Sequence, residues 1–410
     1  MPPLAPEEEA HSGAVAALIR ERIRAAGGWL SFEQFMELAL YAPGLGYYSA
    51  GSVKIGPGGD FVTAPEVSDL FSRCVARQCA QVLAGSGEIL ELGAGTGRMA
   101  ATLLETLAAD GALPERYAIL EVSADLAERQ RARLARLAPE LRRRVVWLDR
   151  LPGQPVRGVI LANEVLDALP CRRFLLSAGE VRELGVALHG ELRPQDAAKP
   201  RASGSGAVPP VESLPGAPLI IEREAEPDEA LRGAVAALLK VLPEPLPDGY
   251  CSELCLRVSP WIGGVGACLD RGAILLFDYG LPRSHYYHPQ RTSGTLRCHF
   301  KQRVHDDPTL NIGVQDITAW VDFTRVAEAA LDGGLEVSGF ATQTAFLLAL
   351  GIEQDVAEVS NPLEHARLAG EARRLLLPGE MGEAFKVMAL TRGLEDRLQG
   401  FSLQDLRGSL

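Results

Sequence analysis

The sequence lacks the features that would place it across a membrane, in a disulfide scaffold or on duplex nucleic acid. Its 410 residues contain no apolar run of the roughly 18 residues that a membrane-spanning helix needs. The net charge of −12 opposes binding to a phosphate backbone, although a local basic groove is compatible with that total. The seven cysteines are odd in number and scattered, so we expect reduced thiols.

Targeting signals are also missing from the first stretch, MPPLAPEEEA, which carries three consecutive glutamates and no apolar or arginine-rich segment. We therefore expect a cytoplasmic location, no membrane insertion and no nucleic-acid partner. No metal is expected, because Cys251 and Cys255 lack the spacing of a zinc knuckle. The HYYH motif near Cys298 and His299 is the alternative metal site, but a Tyr/His-rich loop that lines a surface or cleft is the simpler interpretation.

Apolar strands alternate with helical segments between residues 88 and 165. Strands are predicted at 88–94, 117–123, 144–149 and 158–165, with one helix at 96–109 and another that ends near Leu137. Continuous β-branched or Leu-rich strands that alternate with helices indicate a parallel sheet covered on both faces. The predicted fold is doubly wound α/β, with ligands at the carboxyl ends of the strands.

The pattern changes after Ala168. The alternating runs RRFLLS and VRELGVALHG predict antiparallel strands, and they flank a Pro-, Gly-, Ser- and Ala-rich stretch, 193–218, that predicts a mobile loop. Further elements are predicted as helices near 228–242, 259–270 and 316–332 and as strands at 272–280, 335–341 and 384–392.

The length and these changes in pattern predict two domains or one domain with large insertions. We divide the chain into an N-terminal helical segment with a glycine-rich binding loop (1–85), the first half of the α/β core (86–180), inserted strands with a loop and a helix (181–258), a core helix and fifth strand (259–280), a substrate- or partner-binding insertion (281–325) and the last strands of the core (326–410).

The motif ELGAGTGRM follows the first core strand and discriminates between two cofactor classes. A dinucleotide fingerprint, G-x-G-x-x-G/A, needs a small residue where Arg98 stands. The alternative is the E/D-x-G-x-G loop of S-adenosylmethionine (SAM) enzymes, which is present as Glu91, Leu92, Gly93, Ala94 and Gly95. Glycines without a Cβ let this loop approach the amino-acid and ribose parts of SAM. A purely structural turn is the third interpretation.

Acidic residues end the next two strands at positions that suit the same cofactor. Glu121, followed by Val122, can accept both ribose hydroxyls, and Asp149 can accept the adenine amino group. Each acid alone could instead cap a helix, although Asp125 is the better cap for the second helix. Taken with the glycine loop, three successive strand ends favour SAM as the cofactor.

Two further motifs supply candidate residues. ANEVLDALP follows the fourth strand, so Asn163 and Glu164 are predicted at the reaction centre and as cofactor contacts. In the alternative, they cap the next helix, with Asp167 on its exposed face. The upstream motif GPGGDFVTAPEVSDLF predicts a loop folded over the cofactor, and its candidate contacts are Gly59, Asp60, Thr63, Pro65 and Glu66.

Together these motifs resemble the MidA family of SAM-dependent methyltransferases. The resemblance runs in order from about residue 20 to 390 and is carried by FEQFMELALYAPGLGYYS, GDFVTAPEVSDLF, ELGAGTGRM, ANEVLDALP, FDYG, SGTLRCHF, DITAWVDF and GEMGEAFKVMAL. Mitochondrial members of that family are complex I assembly factors, which methylate arginine in a core subunit of this NADH dehydrogenase. The lack of a mitochondrial targeting sequence suggests a bacterial member.

The resemblance implies a Rossmann-like class I SAM methyltransferase fold, a doubly wound and mostly parallel sheet with an N-terminal helical segment and an inserted α+β substrate-binding region. It implies SAM as cofactor and a protein substrate, a subunit of the respiratory NADH dehydrogenase. A small-molecule methyltransferase and a SAM-binding assembly chaperone without catalysis are the alternative functions. The sequence does not predict an oligomeric state.

Arginine methylation calls for carboxylates, because guanidinium and the sulfonium of SAM are both cations. A carboxylate also grips guanidinium through two hydrogen bonds. Glu164 is predicted as the main guanidinium ligand, with Asn163 orienting it or binding the SAM amino group, and Asp167 and Glu66 are the other acids placed near the strand ends.

Residues of the fifth strand and of the loop-rich region complete the predicted site. Tyr279 is expected to wall the acceptor pocket, whereas Asp278 is equally suited to bind substrate or to cap a turn. The stretches SGTLRCHF and DITAWVDF suit a surface that grips a protein segment. The simpler alternative is that Trp320 and Phe323, three residues apart, pack a helix onto the core.

Overall fold

The structure is a computed structural model that describes residues 2–50, 62–191 and 219–410. The predicted cofactor contacts Gly59 and Asp60 and the predicted loop at 193–218 lie outside the described residues. In the described ranges, no helix has both the length and the apolar character needed to cross a bilayer.

The helices of the described residues are mostly short, and side-chain caps fix many of their first turns. They are α1 (Pro6–Ala25), α2 (Phe32–Tyr41), α3 (Ala64–Val67), α4 (Asp69–Leu83), α5 (Arg98–Ala109), α6 (Ala124–Leu134), α7 (Pro139–Arg142), α8 (Glu229–Val241), α9 (Val258–Ala267), α10 (Arg283–Tyr286), α11 (Phe323–Asp332), α12 (Gln343–Ala349), α13 (Ile352–Ala357) and α14 (Pro362–Leu376).

The strands of the described residues form three sheets. They are β1 (Trp29–Ser31), β2 (Glu88–Leu92), β3 (Arg116–Leu120), β4 (Val145–Leu148), β5 (Val156–Asn163), β6 (Arg172–Ser177), β7 (Glu180–Leu188), β8 (Ile220–Ala225), β9 (Cys251–Leu254), β10 (Leu269–Leu281), β11 (Arg297–Phe300), β12 (Arg303–His305), β13 (Asp316–Thr318), β14 (Val321–Asp322), β15 (Glu336–Thr342) and β16 (Phe385–Arg392).

The chain divides into two compact units. The first unit comprises residues 1–53, 168–257 and 284–320, and the second comprises residues 54–167, 258–283 and 321–410. We call them the insertion unit and the core unit. The insertion unit contains both stretches that interrupt the α/β pattern after Ala168, whereas the predicted catalytic and cofactor-binding residues that the structure describes belong to the core unit.

The core unit is built on a sheet with the strand order β15-β16-β10-β5-β2-β3-β4, to which β14 adds beside β10. Five of these strands, β10, β5, β2, β3 and β4, are parallel neighbours, and β16 runs antiparallel to β10. The chain winds outward from β2 to β4 in one direction and from β5 to β10 in the other. Because the direction of winding reverses between β2 and β5, a ligand crevice is expected at their carboxyl ends.

The insertion unit carries antiparallel sheets. The larger has the order β1-β7-β6-β9 with β8 also paired to β7, and the smaller has the order β12-β11-β13. The antiparallel pairing of β6 and β7 confirms the prediction from RRFLLS and VRELGVALHG. Arginines and glutamates are paired inside this unit: Arg172 contacts both carboxylate oxygens of Glu183, each at 2.5 Å.

The predicted helix at 316–332 is wrong in its first half. Residues 316–318 are β13, which pairs with β11, and the helix starts only at Phe323. Phe323 is buried as the packing interpretation expects, but Trp320 precedes the helix and stacks with the Arg291 guanidinium at 5.3 Å. Apolar residues three apart, such as Trp320 and Phe323, are typical of a helix. The same spacing also occurs where a strand leads into a helix, so it does not locate the start of the helix.

One other predicted helix ends earlier than expected, and another has a different capping residue. The helix predicted at 259–270 ends at Ala267, and β10 begins at Leu269. Asp125 does not cap α6, because Ser123 takes that position and accepts a hydrogen bond from the Leu126 N–H at 3.4 Å. Asp125 lies in the first turn and pairs with Arg129 at 2.9 Å.

Candidate active site

The glycine loop makes its turn directly after β2. Gly93, Gly95 and Gly97 have φ angles of 70°, 53° and 77°, a conformation that residues with a Cβ rarely adopt. A Cβ on Gly97, which caps α5, would come within 3.3 Å of the Gln130 Cα. Ala94, between two of the glycines, is buried. The backbone path therefore requires the glycines of this motif, which favours a binding loop.

Glu66 is tied to the glycine loop. Its carboxylate accepts a hydrogen bond from the Thr96 hydroxyl at 2.5 Å, and its carbonyl accepts one from Arg98 at 2.7 Å. Thr63 and Pro65 stand at the start of the same short helix, α3. Arg98, which excluded the dinucleotide fingerprint, thus fastens α3 to the loop. This position suits the predicted cofactor role of Glu66, while its role as a guanidinium ligand stays a prediction.

The Glu121 carboxylate is held at the end of β3. One oxygen accepts a hydrogen bond from the Ser123 N–H at 2.9 Å and the other from the Gln130 side chain at 2.8 Å. Burial raises the pKa of Glu121 from its ordinary value. The neighbouring Val122 is 79% exposed, so an apolar surface stands open beside the carboxylate. This pairing of an acid with an open apolar surface suits a nucleoside.

Gln130 is a functional candidate that sequence reasoning missed. Its amide nitrogen donates to the Gly95 carbonyl at 3.0 Å as well as to Glu121, and its oxygen accepts from the Trp147 indole at 3.0 Å. It therefore links the glycine loop to the acid at the end of β3. The available signal was a polar residue on the face of α6 where Ala127 and Leu134 are buried.

Two other predicted cofactor contacts are placed differently. Glu91 is 1% exposed and accepts a hydrogen bond from the buried Tyr117 hydroxyl at 2.7 Å. Burial raises the pKa of the Glu91 carboxyl to about 7. The Asp149 side chain is 91% exposed and pairs with Arg150 at 3.7 Å. The charge of Glu121 adds to this rise in the pKa of Glu91, so these two acids lie near each other. The roles of Glu91 and Asp149 as cofactor ligands stay predictions.

The end of β5 is a turn rather than a helix start. Glu164 adopts a φ of 53°, which is uncommon for a residue with a side chain, and no helix lies between β5 and β6. The helix-cap interpretation of Asn163, Glu164 and Asp167 is therefore wrong, and Asp167 is buried. Strained backbone held in place by its surroundings is concentrated at functional sites.

Asn163 is the last residue of β5, whose neighbour β2 leads into the glycine loop. Its amide nitrogen donates to the Glu164 carboxylate at 3.1 Å, whereas its buried oxygen accepts no hydrogen bond from the described residues. In the strand register, Leu92 is opposite Ala162, and a Cβ on Gly93 would lie 3.7 Å from the Val165 side chain. The two strand ends therefore meet, and an unsatisfied acceptor lies beside the loop.

Asp278 caps the turn that follows β5. One carboxylate oxygen accepts hydrogen bonds from the Leu166 N–H at 2.9 Å and the Asp167 N–H at 3.3 Å, and the other accepts from the Tyr279 N–H at 3.0 Å. Asp278 is buried. Of its two predicted roles, the contacts support the turn cap.

Tyr279 is fixed at the same strand end. Its hydroxyl donates a hydrogen bond to the Asp167 carboxylate, and its ring packs edge to face on Phe385 with centroids 5.3 Å apart. The structure thus brings together Asn163, Glu164, Asp167, Asp278 and Tyr279.

Carboxyl groups are concentrated around this turn. Burial raises the pKa of Asp278 well above its ordinary range, and the neighbouring carboxylates of Asp167 and Glu164 raise it further. Carboxylates that disfavour one another's ionisation are relieved when a cation arrives. The turn is therefore electrostatically suited to a cationic ligand. No group of three or more His, Cys, Asp or Glu side chains in the described part of the chain is arranged to hold a metal ion.

Comparisons with known proteins agree with this arrangement. Residues 74–341 match the family model described as "Putative S-adenosyl-L-methionine-dependent methyltransferase". A crystal structure from Burkholderia thailandensis, bound to S-adenosyl-homocysteine, is 37% identical to this chain and superposes with a TM-score of 0.89, with 100% of both chains covered.

Curated relatives are more distant. The mouse protein arginine methyltransferase NDUFAF7 is 26% identical to this chain, with 93% of the chain and 86% of the mouse protein covered. The Drosophila melanogaster homologue is also 26% identical, with 96% and 88% covered.

The glycine loop, Glu121 with Val122, and the unsatisfied Asn163 oxygen fit the ligand of the crystal-structure relative. An acceptor oxygen suits its ammonium group, and a carboxylate suits its ribose hydroxyls. The family model and the relative bound to S-adenosyl-homocysteine confirm the predicted cofactor and the class I methyltransferase fold.

Proposed function

The chain belongs to the family of S-adenosyl-L-methionine-dependent methyltransferases, and we propose that it methylates an arginine side chain of a protein. The observation that carries the proposal is the turn after β5, where Glu164 is held at a φ of 53° next to the glycine loop and where Glu164 and Asp167 both lie close enough to Asp278 to raise its pKa. A planar cation is the ligand that such carboxylates bind best. The names of the mouse and fly relatives support the same acceptor.

Within this proposal the cofactor is held by the glycine loop, Glu121 and Asn163. When bound, SAM would supply a methyl group to a guanidinium nitrogen, with S-adenosyl-homocysteine as the leaving group and the proton of that nitrogen passing to solvent. Gln130 fixes the glycine loop and the Glu121 carboxylate relative to each other through its two hydrogen bonds. Val122 offers its exposed side chain to the adenine ring.

The carboxylates after β5 bind and aim the acceptor. Glu164 grips the guanidinium through two hydrogen bonds, which turns one nitrogen toward the cofactor and holds it there. Asn163 fixes one oxygen of Glu164 by its 3.1 Å hydrogen bond. The negative charge of the turn offsets the repulsion between two cations, which would otherwise oppose their approach.

The protein substrate in this proposal is a subunit of the respiratory NADH dehydrogenase, as the family resemblance implies. A cytoplasmic location is part of the proposal, since it would give the enzyme access to subunits before their assembly. Cell fractionation, with detection of the protein in each fraction by an antibody, tests that location.

The substrate is tested by peptide mass spectrometry of NADH dehydrogenase purified from the host with and without this gene. We expect a gain of methyl units on one arginine, present with the wild-type gene and lost with Glu164→Gln. Glu88→Gln is the matched control, because Glu88 lies at the opposite end of β2 and pairs with Arg116 at 2.6 Å. Identical subunit masses in all strains would contradict the proposed substrate.

A further inference from the structure

We propose that Asp278 is a positioning residue that sets the relative placement of Glu164 and Asp167 for the acceptor. This inference rests on the proposed function. Asp278 does not touch the acceptor in this scheme. It acts through the turn after β5, which we call the acceptor turn and define as residues 164–167.

Three consecutive residues of β10 each hold a different part of the acceptor turn. The Phe277 carbonyl accepts a hydrogen bond from the Glu164 N–H at 2.8 Å. The Asp278 carboxylate accepts from the N–H groups of Leu166 and Asp167. The Tyr279 hydroxyl donates to the Asp167 side chain. The first three residues of the FDYG motif therefore hold the backbone and one side chain of the acceptor turn in place.

The turn needs such support because its first residue is in a disfavoured conformation. Left-handed backbone at a glutamate persists only where the surroundings impose it. The Phe277 carbonyl and the Asp278 carboxylate accept hydrogen bonds from N–H groups at Glu164 and after it. These bonds fix the backbone of Glu164 and so the direction of its side chain. Since positioning errors of about 1 Å cost roughly 100-fold in rate, small changes in these bonds should appear in methyl transfer.

The chemistry of the three bonds favours a carboxylate at position 278. All three partners are backbone N–H donors, and a carboxylate offers acceptors on both oxygens. An asparagine keeps one oxygen for Leu166 and Asp167 but turns an N–H₂ group toward the Tyr279 N–H. An alanine loses all three bonds. The two substitutions therefore differ in how much of the turn they preserve.

The experiment compares Asp278→Ala, Asp278→Asn and Tyr279→Phe with the wild type. Methyl transfer is measured as tritium from labelled SAM incorporated into the proteins of an extract from a strain that lacks the gene. Binding of S-adenosyl-homocysteine is measured by calorimetry. We expect Asp278→Ala to lower the transfer rate by about 10- to 100-fold while the dissociation constant stays within about threefold of the wild type. Asp278→Asn should recover part of the loss.

Two additional variants keep the result interpretable. Tyr279→Phe removes one hydroxyl and should fold normally, with a loss of several-fold in transfer. Asp322→Ala is the control for loss of a buried carboxylate that caps backbone N–H groups, since Asp322 accepts bonds from Thr324 and Arg325, each at 3.1 Å, at the start of α11. Unlike Asp278, it also pairs with an arginine, Arg283, at 3.4 Å. Its transfer rate should stay near that of the wild type. Hydrogen exchange should rise in the acceptor turn for Asp278→Ala and in α11 for Asp322→Ala.

Asp278 has no positioning role if Asp278→Ala transfers methyl groups at the wild-type rate. The same holds if its rate and its affinity for S-adenosyl-homocysteine fall in parallel, since that is the sign of general damage to the core unit. Failure of the proposed function is a different outcome: the wild type itself then labels no arginine in the proteins of the extract, and the inference fails with it.

Discussion

Two buried carboxylates, Glu183 of the insertion unit and Asp278 of the core unit, have opposite kinds of partner. In the insertion unit, Glu183 is gripped at both oxygens by Arg172, and Glu253 lies 3.5 Å from Arg173. In the core unit, Asp278 binds backbone N–H groups, and the side-chain charges that shift its pKa are those of two other carboxylates. One arrangement balances charge within the protein, and the other brings three carboxyl groups close to one another.

This difference separates a structural network from a site. A buried ion pair is closed, because each charge has its partner, and removal of either partner destabilises the fold. A group of carboxylates at the end of two strands is energetically unfavourable until a cation binds. Carboxyl groups with pKa values perturbed in this way are concentrated at functional sites. The comparison predicts loss of stability from mutation in the insertion unit and loss of function from mutation in the acceptor turn.

The largest effect on stability is expected from Arg172→Met. It leaves the Glu183 carboxylate buried without its arginine, and such losses cost about 3–5 kcal/mol of unfolding free energy. Urea denaturation monitored by circular dichroism measures this. The double variant Arg172→Met with Glu183→Leu should recover most of the loss. An equally unstable double variant would show that the ion pair is not what the insertion unit depends on.

A slightly smaller effect is expected from pH at Glu91. Burial raises the pKa of this carboxyl from 4.5 to about 7, so the folded state keeps a proton that the unfolded state has lost between these values. Stability should therefore fall as pH rises through this window, by about 3 kcal/mol from this group. Glu91→Gln should lessen the fall, measured as urea midpoints at pH 5 and pH 8. The control Glu88→Gln, on the same strand, should lose as much stability between these pH values as the wild type. If Glu91→Gln also loses as much, Glu91 is not protonated in the folded protein.

An intermediate effect, on cofactor affinity, is expected from Gln130→Ala. The substitution removes the donor to the Gly95 carbonyl and to Glu121 and leaves both without that bond. Loss of such bonds at a buried position costs about 1–3 kcal/mol, so affinity for S-adenosyl-homocysteine should fall roughly 10-fold or more in calorimetry. Gln81→Ala is a fitting control, because Gln81 contacts the Arg397 carbonyl on the exposed side of α4. Unchanged affinity in Gln130→Ala would remove Gln130 from the site.

The smallest effect has the opposite sign. Glu164→Gly relieves a φ of 53° and should stabilise the core unit by about 0.5–1 kcal/mol in urea denaturation. The same variant should abolish methyl transfer because the guanidinium ligand is gone. Ala84→Gly, at a φ of 47° at the end of α4, is the control that should gain stability and keep activity. A Glu164→Gly protein that remains active would contradict the role of Glu164.

The sequence predicted the parts of this molecule that local patterns determine. The parallel strands, the glycine loop and the residues Asn163 and Glu164 at a strand end follow from apolar periodicity and spacing. The role of Asp278 was left open because its partner Leu166 is 112 residues away in the chain. Gln130 was missed for the same reason, since its contact with Gly95 spans 35 residues. Pairing across the fold decides such roles, and one sequence does not encode it locally.

The most direct measurement of the central claim is the chemical identity of the labelled residue. Proteins of an extract from the strain without the gene are incubated with the purified enzyme and tritiated SAM, then hydrolysed to amino acids and separated. The account predicts that the tritium elutes as methylarginine and that Glu164→Gln removes this peak. Tritium in methyllysine, or tritium released as methanol on hydrolysis, as from a methyl ester, would contradict arginine as the acceptor.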